Sequence, residues 1–188
     1  MMEPDAGAAT LPGALPLRSE AQASGDQLAD LYDRHAGALY RYARALTGSA
    51  EDAEDAVQEV FCRAARHPAR LERVRDARAY LLTAVRNAAR STLRGRRRRS
   101  DLETALPEDL AVAAAPDPGI GVVDALALRE AFAALPVEQR EVLALKVFEG
   151  MTFREIAATT RASQNTVASR YRYAIEKLRR ALEEPENG

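Results

Sequence analysis

The sequence predicts an all-α protein made of two small helical domains joined by a flexible linker. Three observations carry this. Alanine and leucine supply most of the apolar residues, aromatics are only 5% of the chain and tryptophan is absent; such a composition favours helix. Apolar residues recur at three- and four-residue spacings over several long stretches, the signature of helices with one buried face. Glycine and proline gather near the N-terminus and again between residues 100 and 121, where they punctuate rather than interrupt the periodic segments.

The elements follow in order. Residues 1–24, rich in Ala, Gly, Pro and Ser without periodicity, read as a disordered tail. A first helix is expected from about Gln27 to Leu46, with Leu28, Leu31, Tyr32, Leu39, Ala43 and Leu46 on its apolar stripe, closed by Thr47-Gly48. Ser49 opens a second helix, with Asp52 at the spacing of a capping box. That helix ends near Arg66, before Pro68, and a loop is expected over His67–Arg75. Asp76 caps a third helix through Tyr80, Leu81, Val85, Ala89 and Leu93, which frays at Gly95 and the arginines Arg96–Arg99. The first domain is therefore 25–99 and the linker 100–121. The second domain, 122–184, starts with helices near Val123–Ala134 and Val137–Phe148, separated by Leu135-Pro136 and stopped at Gly150. Thr152-Phe153-Arg154-Glu155 is a full capping box opening a short helix to about Thr159, and Ser163 caps a last helix over Gln164–Glu183. Residues 185–188 form a short tail.

The formal net charge of −1 conceals blocks of charge. Residues 26–99 carry sixteen Lys or Arg against ten Asp or Glu, 100–136 one against seven, and 137–184 nine against seven. Two basic domains around an acidic connector point to nucleic acid and macromolecular partners rather than to a small-molecule pocket. No run of about 20 apolar residues suggests a membrane span, and no basic start followed by an apolar stretch suggests a secretory signal, so the expected setting is the cytoplasm. One cysteine, Cys62, and two histidines offer neither an intrachain disulfide nor a structural zinc site, and no cofactor is expected.

Two short helices joined by a tight turn, the second longer and polar on one side, form a helix-turn-helix. At 100° per residue, Val167, Tyr171, Ala174, Ile175, Leu178 and Leu182 face the core, while Asn165, Ser169, Arg172, Tyr173, Glu176 and Arg180 face outward. Short polar residues at the start of such a helix and arginines further along suit the major groove. The same pattern also describes an ordinary helix with a solvated polar face. In the second helix of the first domain, Ala53, Val57, Val60, Phe61 and Ala64 point inward, and Asp55, Gln58, Glu59, Cys62 and Arg66 outward. That acid-rich stripe is open to three readings: a solvated face, a metal site without histidine, or a docking surface for a protein. The third helix places Arg86, Arg90 and Arg94 on an outer basic track beside Tyr80 and Asn87. An aromatic and an amide beside arginines suit single-stranded nucleic acid, whose bases stack while the backbone is neutralised.

These segments in this order resemble the sigma-70 family, in its extracytoplasmic-function (ECF) subgroup. Ala53–Phe61 resembles the region 2 signature and Tyr80–Asn87 the promoter-melting helix; Leu135–Leu143, Met151–Ala157 and Asn165–Arg170 resemble region 4. The resemblance implies a sigma factor rather than an enzyme. It implies that Asp55, Gln58 and Glu59 dock on the β′ clamp helices of core RNA polymerase, that region 4 sits on the β flap, and that the acidic linker runs near the RNA exit path. It implies −10 contacts by Arg78, Tyr80, Arg86, Asn87, Arg90 and Arg94, and −35 contacts on promoter DNA by Asn165, Thr166, Ser169, Arg170, Arg172 and Tyr173. An anti-sigma factor is an implied partner. The sequence departs from the family at Tyr80, where tryptophan is common, and at Ala168, where Lys or Arg is common. Two alternatives compete with it: a stand-alone helix-turn-helix regulator, and a Mg²⁺-dependent nuclease using the carboxylates of the second helix.

Overall fold

The computed structural model describes residues 20–100 and 122–183, all of whose regular elements are helices. The first half holds α1 (Glu20–Thr47), α2 (Ala50–Arg66), α3 (Pro68–Glu72) and α4 (Ala77–Ser100). The second holds α5 (Val122–Ala133), α6 (Val137–Val147), α7 (Phe153–Thr160) and α8 (Gln164–Glu183). Of the expected tail (1–24), linker (100–121) and terminus (185–188), residues 1–19, 101–121 and 185–188 lie outside the described residues, as does residue 184, while 20–24 belong to α1 and Ser100 to α4.

In the first half, α1, α2 and α4 pack against one another. Leu31, Leu39, Ala43 and Leu46 of α1 meet Ala53, Val57, Val60, Phe61 and Ala64 of α2 and Leu81, Val85 and Ala89 of α4, all buried. Tyr42, absent from the expected stripe, is fully buried. Tyr32 is 51% exposed, and its ring meets that of Phe61 edge to face, with centroids 4.9 Å apart. In the second half α8 is the centre against which α5, α6 and α7 pack. Val167 and Ala174 are buried there; Tyr171, Ile175 and Leu178 are partly buried; Leu182, expected on the core face, is 46% exposed because it lies in the last turn of the helix.

Helix ends explain much of this layout. Gly48 and Gly150 adopt positive φ, 74° and 63°, and turn the chain after α1 and α6 as expected. The Thr152 capping box is reciprocal: its hydroxyl accepts from the Glu155 amide, and the Glu155 carboxylate accepts from the Thr152 amide at 2.7 Å. The Thr152 hydroxyl, which also donates to that carboxylate at 2.7 Å, and then the Thr152 amide hold the Glu155 carboxyl below its usual range. Ser163 Oγ accepts from the Thr166 amide at 3.1 Å and starts α8.

Four expectations are corrected. α1 begins at Glu20 rather than near Gln27. The Ser49 cap is one-sided: Ser49 Oγ accepts from the Asp52 amide, but the shorter Asp52 side chain pairs instead with Arg96 at 2.9 Å. The segment His67–Arg75 is not all loop, because Pro68 at the first helical position starts α3 instead of merely ending α2. α4 continues through Gly95 to Ser100, since one glycine costs only about 1 kcal/mol in a helix.

Candidate functional site

The helix-turn-helix is α7, a tight turn at Arg161–Ser163, and α8. Ile156 is fully buried, Ala157 is buried, and Phe153 stacks at a tilt on Tyr171, centroids 5.5 Å apart, so α7 and α8 are fixed as a unit. Arg161 is the one non-glycine described residue at positive φ, 56°. This left-handed turn reverses the chain and brings the start of α8 to the surface. Asn165, Thr166, Arg172 and Tyr173 are exposed there, and Ser169 and Arg170 half-buried. The Arg172 guanidinium lies 5.2 Å from the Tyr173 ring centre, which pre-orders two groups able to meet a phosphate or a base edge. Four of the six predicted residues, Asn165, Thr166, Arg172 and Tyr173, therefore share the exposed side of one helix.

On α2, Asp55, Gln58 and Glu59 are all exposed, with Glu59 ion-paired to Arg63 one turn on. Gln58 also borders an open groove of about 660 Å³ between α1 and α2, lined by Tyr32, Tyr40, Val57, Phe61 and Cys62. An acidic stripe beside an apolar groove suits a partner helix carrying basic and apolar residues. Among the described residues no group of His, Cys, Asp and Glu is arranged to hold a metal ion.

The basic residues of α4 are arranged quite differently from the sequence reading. The two halves of the chain pack together through α1–α6 and α4–α7 contacts. Arg86, expected on the outer track, is only 9% exposed. Its Nε donates to Glu141 Oε1 of α6 at 2.5 Å, and its terminal nitrogen to the Thr160 carbonyl at 3.1 Å, in the last turn of α7. Arg90 reaches the other Glu141 oxygen at 3.0 Å and Glu138 at 3.5 Å. Arg78 pairs with Glu149 at 2.8 Å and also donates to its carbonyl. Asn87 and Arg94 are exposed, and Tyr80 is partly buried against the core. The six residues predicted for one track thus divide: three are engaged by the second half of the chain.

Sequence reasoning missed the carboxylates that engage them. Glu141 is fully buried and Glu149 nearly so. Tyr42 Oη, buried in α1, donates to Glu141 at 3.2 Å; burial and then the Glu141 charge raise the phenol well above its usual range. Arg140 spans the same junction, donating to the Leu46 carbonyl at 3.4 Å, and its burial lowers its pKa. The available signal was position: Glu141 follows Val137 by four residues and precedes Val142, so it sits in the buried turn of α6. A carboxylate there needs a cation from elsewhere.

The described residues form two helical bundles, one with a helix-turn-helix and the other with an arginine-bearing helix and an exposed acidic stripe, an arrangement that suits a DNA-reading protein. Comparison with known proteins specifies it further. Residues 31–99 match the model of sigma-70 region 2, and residues 125–178 that of sigma-70 region 4. The ECF RNA polymerase sigma factor SigL of Mycobacterium tuberculosis is 37% identical over 155 residues, covering 82% of this chain and 88% of that protein. SigM of the same organism is 32% identical over 86% of this chain and 81% of its own, and the RNA polymerase sigma factor CarQ of Myxococcus xanthus 32% over 86% and 92%. The chain belongs to the sigma-70 family, in its ECF group. Among solved structures, CnrH in complex with the cytosolic domain of CnrY is 27% identical, with a TM-score of 0.58, covering 87% of this chain and 94% of that one. The sigma factor RpoE bound to the anti-sigma factor NepR, from Bartonella quintana, shares the fold at 24% identity, with a TM-score of 0.68 over 88% and 99%.

Proposed function

We propose that this protein is a promoter-specificity factor that binds bacterial core RNA polymerase in the cytoplasm and starts transcription, without catalytic chemistry of its own. One observation carries this. A single chain presents an exposed reading helix, α8, and, on a separate bundle, an exposed acidic stripe bordering an apolar groove. A regulator that only bound DNA has no use for the second face.

Asp55, Gln58 and Glu59 dock on the polymerase β′ clamp helices. Asn165, Thr166, Ser169, Arg170, Arg172 and Tyr173 read the −35 duplex, with region 4 seated on the β flap. Arg78, Tyr80, Arg86, Asn87, Arg90 and Arg94 hold the melted −10 strand. An anti-sigma factor is a further expected partner, as for the relative RpoE, whose structure was solved in complex with the anti-sigma factor NepR. Domain bounds of 25–99 and 122–184 go with these roles. Among the described residues no helix is long and apolar enough to cross a membrane.

Promoter-dependent transcription with purified core polymerase tests the reading. Asp55→Arg inverts the charge of an exposed residue and leaves folding intact; it should reduce core binding at least tenfold, the effect of roughly 1.4 kcal/mol. Core binding unchanged by Asp55→Arg would remove the α2 face from the mechanism, and no binding by the unaltered chain at low salt would refute the function.

A further inference from the structure

We infer that Lys146 is a positioning residue for DNA reading: its ammonium group, seated between the α6–α7 turn and the Phe153 ring, sets the angle at which α8 meets the −35 duplex. The inference rests on the proposed role of α8 in reading that duplex, and it names a group outside α8 on which the reading depends.

α7 has only eight residues, Phe153–Thr160. A helix that short is not stable in water by itself, so its direction is set by what its sides and ends touch. Lys146, in the last turn of α6 and partly buried, secures its first turn in two ways. The Lys146 Nζ donates to the Met151 carbonyl at 3.2 Å. It also lies 5.4 Å from the centre of the Phe153 ring, inside the reach of about 6 Å over which a cation is drawn to an aromatic face. The Met151 amide in turn donates to the Leu145 carbonyl at 3.2 Å, across the left-handed Gly150. The turn that delivers the chain into α7 is thus tied to α6 through both polar groups of Met151.

The Phe153 ring carries the constraint onward. It meets the Tyr171 ring of α8 at 5.5 Å and an interplanar angle of 57°. Tyr171 stands between Arg170 and Arg172, two of the residues assigned to the −35 duplex. A continuous set of contacts therefore runs from the Lys146 charge through Phe153 to the reading helix. The leverage is large. Asn165 precedes Tyr171 by six residues, about 9 Å along a helix. A tilt of α8 by about 10° around the Tyr171 contact moves Asn165 by about 1.5 Å, which takes a hydrogen bond to a base edge out of range. Contacts to base edges carry sequence information and contacts to phosphates do not, so releasing Lys146 degrades discrimination before it degrades overall binding.

The test uses holoenzyme, core polymerase loaded with the full chain, on a promoter fragment that the unaltered holoenzyme transcribes, with its −35 segment randomised. Sequencing the bound fragments gives the preference for the best −35 sequences over the average, and binding is followed against salt. Lys146→Met should lower that preference about fivefold, the effect of weakening one paired base-edge contact, with the salt slope unchanged. Lys146→Arg keeps a cation for the ring and the turn and should retain the preference. Weakening spread evenly over all sequences, with a slope smaller by about 1, would mean that Lys146 itself neutralises a phosphate, and overturns the positioning role. An undiminished preference in Lys146→Met, or an equal loss in both variants, overturns it too. If circular dichroism shows that Lys146→Met has lost helix, Phe153→Leu replaces it; that change removes the ring between Lys146 and Tyr171 and should lower the preference likewise, and an undiminished preference there overturns the role as well. No −35 preference in the unaltered holoenzyme refutes the assignment of α8 itself and the positioning role with it, so the two failures are distinguishable.

Discussion

Replacing Glu141 by methionine leaves Arg86 and Arg90 facing each other across a nearly dry junction, their side chains 11% and 27% exposed. Removing one partner of a buried ion pair costs about 3–5 kcal/mol, and the partial exposure of Arg90 places this case near the lower end. Arg86→Met alone is milder, about 2–3 kcal/mol by the same scale, because Glu141 keeps Arg90 and the Tyr42 hydroxyl. Changing both residues replaces the pair by apolar side chains of similar reach, which is often close to neutral. Arg90 then retains Glu138 at 3.5 Å. The double variant should therefore be less damaged than the sum of the singles, with a coupling of about 3 kcal/mol or more. Each half has its own packed helices, so the Glu141→Met chain also has an escape: its domains separate, and unfolding splits into two transitions. Urea unfolding followed by circular dichroism, with the slope compared across all four chains, measures both effects. Additivity within about 0.5 kcal/mol in a single transition would refute the view that Glu141 and Arg86 act as one unit.

Two more outcomes follow from local geometry. Arg161 sits at φ 56° and ψ 40°, a conformation that costs a side-chain-bearing residue about 1–2 kcal/mol and glycine little; Arg161→Gly should raise stability by roughly 0.5–1 kcal/mol after the added flexibility of the unfolded chain is set against it, read as a melting temperature higher by a few degrees, and a lower one would contradict the strain argument. The raised pKa of Tyr42 means that the folded chain keeps the phenol protonated where the unfolded chain has lost the proton, so its stabilising contribution is complete below the ordinary value of 10.0 and disappears as pH rises beyond it. The groups facing the phenol are Glu141, which opposes its ionisation, and Arg86 and Arg90, which favour it. Alkaline titration should thus destabilise the native protein more steeply than the Tyr42→Phe variant, as followed by unfolding above pH 10, and parallel curves for the two would count against this role.

Local sequence signals were sufficient wherever the determining interaction lies within one or two turns of the chain. Gly48 and Gly150 end helices, Thr152 and Glu155 cap each other, and Ala53, Val57, Val60, Phe61 and Ala64 share the buried side of α2. Each follows from backbone freedom, a reachable amide or a 3.6-residue period. The outward placement of Asp55, Gln58 and Glu59, and of Asn165, Arg172 and Tyr173, follows from the same periodicity. Errors came where a longer-range partner competed with a local one, as when Arg96 takes the Asp52 carboxylate that the spacing offered to a cap.

What the sequence by itself determined is a pair of helical modules, one with a helix-turn-helix, and the residues that each helix turns outward. What only tertiary structure decided is how the modules meet. Arg86 and Arg90 look like a solvent-facing basic track in a helical projection, because a projection of α4 contains no α6. Glu141 looks like an unremarkable acid, because its partners lie 55 and 51 residues away in the chain. A buried carboxylate selects its cations by distance in space, and closing that distance depends on packing α1 against α6 and α4 against α7. No local periodicity encodes that step.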